Sequence, residues 1–164
     1  MSTQSSVSIF MGSKSDLSIV QAAADTLKEF NISFNMYILS AHRTPEEVVK
    51  KIKESESNGV KVFIAAAGMA AHLAGAIAAQ TSKPVLGIPL AGGDLGGMDA
   101  LLATVQMPKG VPVATFAIGK SGAINAAIFA AQILGTHDED IGNQLSAYKT
   151  KMHDDVLSAN ESIQ

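Results

Sequence analysis

The run from Val60 to Ala67 restricts the fold of this chain more than any other stretch, because it is apolar at every position except Lys61. A strand with one solvated face alternates polar with apolar residues, and this one does not. It reads as a strand covered on both faces, the mark of a parallel sheet sandwiched between helices. The flanking sequence repeats the requirement. Val7 to Met11 is a short apolar run followed by a helix to about Phe30, with Leu17, Val20, Ala24 and Leu27 at helical spacing. Ile32 to Leu39 is a β-branched and aromatic run, and the charged pattern Glu46 to Asn58 after it buries Val48, Val49 and Ile52. An Ala-rich helix then runs to about Gln80, a fourth strand spans Pro84 to Ile88, a short helix Met98 to Gln106, and a fifth strand Pro112 to Ile118.

Strands alternating with helices imply a doubly wound α/β fold with right-handed crossovers. The expectation is one domain over 1–164, a three-layer αβα arrangement with a flavodoxin-like parallel sheet of about five strands in the order 2-1-3-4-5. Its core covers about 7–135, and an extra C-terminal helix covers about 138–157. Aromatic residues are few, so Ala, Val, Ile, Leu and Met must build the core. The helix from about Lys120 to Leu134 is apolar almost all round, which predicts burial on every side and a subunit interface. In the last helix Ile141, Leu145, Tyr148, Met152 and Val156 form one stripe.

In that strand order the loops after the first three strands meet at one crevice outside the carboxyl ends, where open α/β sheets bind ligands. The first loop holds Gly12-Ser13-Lys14-Ser15-Asp16. Its backbone N–H groups and the Ser13 and Ser15 hydroxyls suit a phosphate, and the Asp16 carboxylate suits a sugar diol. The GxxxxGK[ST] and GxGxxG spacings are both missing, and these residues taken alone favour a tight turn with Ser15 or Asp16 as N-cap. The second loop is Ser40-Ala41-His42-Arg43-Thr44-Pro45. Thr44 as N-cap, Pro45 at the first helical position and Glu47 three residues after the cap predict a capping box, with the helix starting at Thr44. His42 and Arg43 then stand ahead of a helix N-terminus, and the residues alone leave open an anion site or an incidental loop. The third loop, Ala67-Gly68-Met69-Ala70-Ala71-His72-Leu73, lets backbone approach a ligand closely, although a lone His on an apolar helix is more often structural. A glycine-rich stretch, Ala91 to Gly97, is either a lid or a linker.

The net charge of −3, with no run of Lys or Arg, argues against nucleic acid or an acidic membrane surface as partner. Absence of cysteine removes disulfides, thiolate catalysis and Cys-based metal sites. The polar start, Met1 to Ser6, has neither a basic nor an apolar leader segment, and no stretch reads as a membrane span. A soluble, cytoplasmic protein is expected.

Gly12-Ser13-x-Ser15-Asp16, Ser40-Ala41-His42-Arg43-Thr44-Pro45, Ala67-Gly68-x-Ala70-Ala71-His72-Leu73 and Val105-Gln106-Met107-Pro108-x-Gly110-x-Pro112-Val113 together resemble the class I PurE family, the N5-carboxyaminoimidazole ribonucleotide mutases of purine biosynthesis. The likeness is collinear from about Ile9 to His137. It implies a homo-octamer with sites at subunit junctions, a ribonucleotide substrate, and neither metal nor cofactor. It makes His42 the catalytic acid and base, Ser13, Ser15, Ser40 and Arg43 phosphate-side contacts, and Asp16 a ribose-hydroxyl contact. Gly12 and Ala41 complete that side, and Ala67, Gly68, Ala70, Ala71, His72 and Leu73 form a small pocket for CO₂ or carboxylate. One group must give and then take a proton, which suits an imidazole and typically contributes roughly 10²–10⁴-fold. Two departures stand out: Met69 replaces a small residue, and Gly92-Gly93-Asp94 replaces a hydroxyl-bearing segment. The alternatives are a class II-type carboxylase that uses free CO₂, and a nucleotide-binding module without catalysis. Arg43 where class II tends to carry Lys, together with Ala70-Ala71-His72-Leu73, favours the mutase.

Overall fold

The computed structural model describes residues 5–163, so the first four residues of the polar start read from the sequence lie outside the described residues. The strands are β1 (Val7–Met11), β2 (Phe34–Ile38), β3 (Val62–Gly68), β4 (Val85–Leu90) and β5 (Ala114–Thr115). They form one all-parallel sheet in the order β2-β1-β3-β4-β5, the flavodoxin-like order expected. Helices α1 (Leu17–Glu29), α2 (Pro45–Ser57), α3 (Leu73–Ala78), α4 (Met98–Val105), α5 (Lys120–Gly135) and α6 (Glu139–Glu161) connect and cover it.

Alternate side chains of the central strands feed two separate cores. Val7, Ile9, Met11, Val62, Ile64, Leu86 and Ile88 pack with α1 and α5 on one face. Phe10, Phe63, Ala65 and Val85 pack with Val48 and Ile52 of α2 and with Leu73, Ala74 and Ile77 of α3 on the other. Each large aliphatic side chain so buried stabilises the fold by about 1.5–3 kcal/mol. The one polar side chain that β1 sends inward, Ser8, donates to the Ser55 hydroxyl of α2 at 3.0 Å, so its burial leaves no orphan.

Two expectations need correction. The fifth strand is only Ala114–Thr115, not Pro112 to Ile118. Pro112 has no N–H for a ladder, and after Thr115 the chain keeps only single bonds to β4, from Phe116 N–H to Gly87 O and from Gly119 N–H to Pro89 O. The same fact lets β4 run through Pro89. Its carbonyl faces the β5 side, so its missing N–H would point there too, where β5 has already left the sheet.

Within one chain, α5 buries one face and leaves the other uncovered. Gly122, Ala123, Ala126, Ala127, Ala130, Ala131 and Leu134 meet the sheet and α1, while Phe129 is 40% exposed. Gly122 sits so close to the preceding loop that a Cβ there would stand 1.6 Å from Ala117 O. Along α6, Ile141, Leu145 and Tyr148 pack on the core, but Met152 and Val156 stand exposed beyond the domain edge. Among the described residues, no helix is long and apolar enough to cross a membrane.

Candidate active site

Three strand ends place the three motifs around one cleft of about 580 Å³. β1 delivers Gly12, Ser13, Ser15 and Asp16. The loop after β2 brings Ser40, Ala41, His42 and Arg43, and that after β3 brings Ala67, Gly68, Ala70, His72 and Leu73. Of the residues singled out from the sequence, only Ala71 is absent from the wall. It is buried behind the third turn, where its N–H donates to Met69 O at 2.8 Å. Met69 and Gly92 also line the cleft and were not among the expected contacts. Met69 was visible as a departure from the family pattern, and Gly92 only as part of the glycine-rich stretch.

The first loop is ordered by its own side chains. Neither Ser15 nor Asp16 caps the helix through its side chain as the turn reading had it. Ser13 caps a short 3₁₀ turn, Lys14–Asp16, that leads into α1. The Ser13 hydroxyl accepts from Ser15 N–H at 3.3 Å and from the Ser15 hydroxyl at 2.9 Å, and the Asp16 carboxylate returns to Ser13 N–H at 3.0 Å. That reciprocal pair is a capping box, formed here rather than at Thr44.

Thr44 does occupy the N-cap position of α2 with Pro45 following it, but its side chain makes no capping bond. Its hydroxyl turns back into the loop, accepting from Ser40 N–H at 2.9 Å and donating to Ser40 O at 3.0 Å. One hydroxyl thereby serves two backbone groups where β2 has run out of partners. The Ser40 hydroxyl accepts from Arg43 N–H at 3.2 Å, so the hexapeptide closes on itself. Arg43 ties this loop to the first, since its Nη2 donates to Gly12 O at 2.8 Å. Its remaining guanidinium donors stay available to an anion.

His72, which the residues alone favoured as structural, reaches the heart of the cleft. Its Nδ1 lies 3.3 Å from His42 Nε2, the rings 5.3 Å apart, and both residues are exposed. The contact requires one ring nitrogen to donate and the other to accept. Two imidazoles in this relation can hold and pass a proton beside a ligand. Serine hydroxyls and a guanidinium lie on one side of the pair, and apolar backbone on the other. Among the described residues, no three His, Asp or Glu side chains stand close enough to hold a metal ion.

Comparison with known proteins gives the family. The family model described as AIR carboxylase matches residues 6–155. The chain is 51% identical over 152 residues to the N5-carboxyaminoimidazole ribonucleotide mutase of Vibrio parahaemolyticus, covering 93% of this chain and 94% of that protein. It is 48% identical to the mutase of the same name from Escherichia coli K12, covering 92% and 89%, and 45% identical to that of Bacillus subtilis, covering 96% and 97%. Among solved structures, Treponema denticola PurE superposes with a TM-score of 0.88 at 28% identity, covering 96% of this chain and 98% of that one.

Proposed function

Because the chain belongs to the AIR carboxylase family, we propose that His42 is its acid and base, working in the cleft at the ends of β1, β2 and β3. The enzyme is an N5-carboxyaminoimidazole ribonucleotide mutase, an isomerase of purine biosynthesis. What carries this reading is identity of 45–51% to mutases over more than nine-tenths of the chain.

The substrate is a ribonucleotide whose carboxyl group sits on the exocyclic nitrogen and must move to ring carbon C4. In the proposed sequence, His42 as imidazolium protonates that nitrogen while the N–C bond of the carbamate breaks and CO₂ is released in place. C4 attacks the CO₂, and neutral His42 then takes the C4 proton. The proton count closes, and His42 ends as it began. Ser13, Ser15, Ser40 and Arg43 bind the phosphate side and Asp16 the ribose hydroxyls. Ala67, Gly68, Ala70 and Leu73 enclose the CO₂, with His72 beside it. The hydrogen bonds within the first two loops support this division, because donors ordered before substrate arrives lose less entropy on binding it. His72 at 3.3 Å from His42 fixes the ring that moves the proton.

The homo-octamer, with sites at subunit junctions and in the cytoplasm, belongs to the same proposal. It is supported by apolar side chains left on the surface: Met98, Leu102 and Val105 along α4 are each about half exposed, and Phe129 of α5 is 40% exposed. Light scattering at micromolar concentration should give eight copies.

The deciding experiment supplies N5-carboxyaminoimidazole ribonucleotide without bicarbonate, and separately aminoimidazole ribonucleotide with bicarbonate and no ATP. Efficient turnover of the first alone is expected. Efficient turnover of only the second would make the protein a carboxylase of free CO₂.

A further inference from the structure

We propose that Met69 is the seal of this chain's cleft, bridging the turn after β3 to the glycine-rich loop so that CO₂ released from the substrate stays beside the ring. The inference rests on the mutase reading, since only a mutase must hold the CO₂ it has just released.

Three observations converge on Met69. Its backbone lies at φ 55, the left-handed region that L side chains rarely adopt, and among the described residues only Asn31 shares this with it outside glycine. Its carbonyl accepts from Ala71 N–H at 2.8 Å, closing a tight turn around Ala70 that holds the unusual conformation. The side chain runs along the glycine-rich loop: a Cβ built on Gly93 would stand 3.6 Å from Met69 Cγ and 3.7 Å from its Cε, and one on Gly92 would stand 3.8 Å from Cγ. A methyl group would just touch there, and any longer side chain would push the thioether away. The large residue at 69 and the bare backbone at 92 and 93 are thus two halves of one contact.

Chemistry explains why such a contact matters. Met69 and Gly92 line the cleft beside Ala67, Gly68 and Ala70, a wall with His72 as its only polar side chain. CO₂ is uncharged, so no ion pair can hold it, and retention depends on closing its way out. A thioether is apolar, and its unbranched stem can bend aside for substrate and return. Met69 is 59% exposed, so its outer side faces water and its motion disturbs no core packing. When the N–C bond breaks and the nitrogen takes its proton from His42, the CO₂ either meets C4 or escapes. Met69 acts on that partition and on no other step.

The partition is directly measurable. Substrate carrying an isotopic label in its carbamate carboxyl is given to excess enzyme for a single turnover in unlabelled bicarbonate, and the label in the product carboxyl is read by mass spectrometry after rapid quench. Wild type should retain the label. Met69→Gly and Met69→Ala should lose it several-fold more, and Met69→Leu, which restores apolar bulk, should retain it. A merely structural role would slow turnover without changing the fraction retained. Full retention by the Gly and Ala variants would overturn the seal and leave the mutase reading intact, as would loss by the Leu variant equal to that of the Gly variant. Washout of label by wild type itself would overturn both. Glycine accepts φ 55 freely, so the decisive variant is expected to fold.

Discussion

The two sides of the cleft are held by different forces. Around Gly12 to Asp16 and Ser40 to Thr44 the loops are fixed by side chains: the Ser13–Asp16 capping box, the two hydrogen bonds between the Thr44 hydroxyl and the Ser40 backbone, and the Arg43 guanidinium on Gly12 O. Around Met69 to Leu73 the chain is fixed by backbone, with a left-handed residue, a tight turn and small side chains. A phosphate and a ribose present many acceptors and hydroxyls, so a side that recognises them needs polar groups already aimed. A CO₂ molecule presents almost nothing to bind, so on the proposed division the opposite side would hold it by shape. The His42–His72 contact joins the two.

The largest effect should come from breaking that junction on its polar side. Replacing His42 by Asn keeps a polar side chain but removes the proton carrier, and turnover should fall by at least roughly 10²–10⁴-fold. Nucleotide affinity, measured by calorimetry, should change little. Wild-type rates in this variant would strip His42 of its role. Arg43→Ala is expected next. It removes a charge-assisted donor worth about 1.5–3 kcal/mol, so KM should rise by roughly 10–100-fold with a smaller change in kcat. If kcat falls instead and KM stays, Arg43 serves the reacting carboxyl and the division of the cleft is wrong.

Much of the polar side was legible in the sequence because its chemistry is spelled out in residue types. Ser, Asp, His and Arg at strand ends announce donors, and uniformly apolar runs such as Val62–Gly68 announce the parallel sheet whose strand ends carry them. What the residues do with one another was harder to read. Thr44 has the spacing for a capping box with Glu47, yet its hydroxyl turns back to the N–H and C=O of Ser40 instead. His72 looked structural because its neighbours in sequence are apolar, whereas its neighbour in space is His42. The backbone side was less legible still. Nothing in the letters Gly68-Met69-Ala70 says that the middle residue turns left-handed, since that is imposed by the turn between β3 and α3. In α5 the apolar letters do not say which face meets the chain's own core, and the packed α1 and sheet decide that.

A smaller effect separates the two forces. Thr44→Val keeps the shape of the side chain and deletes both hydroxyl bonds to Ser40. It leaves the part-buried Ser40 N–H without its partner, while Ser40 O keeps the Thr44 N–H, which should cost about 1–3 kcal/mol in a denaturant titration. The Met69 side should be untouched, so label retention in a single turnover should stay at the wild-type value. Coupled loss of both would mean that the two sides form one unit.

The smallest effect has the opposite sign. Releasing Met69 from a left-handed backbone should recover about 1–2 kcal/mol. The extra freedom glycine gives the unfolded chain should return about 0.5–1 kcal/mol of that. Because Met69 is 59% exposed, little buried apolar surface is lost with its side chain. Met69→Gly should therefore stabilise the free protein by about 0.5–1 kcal/mol, raising Tm by roughly 1–4 °C for a chain of this size. A substitution that makes the protein more stable while making it leak CO₂ is what a strained functional residue predicts. A fall in Tm would show instead that the contact of Met69 with Gly92 and Gly93 outweighs its strain, and that the backbone side of the cleft is held by packing after all.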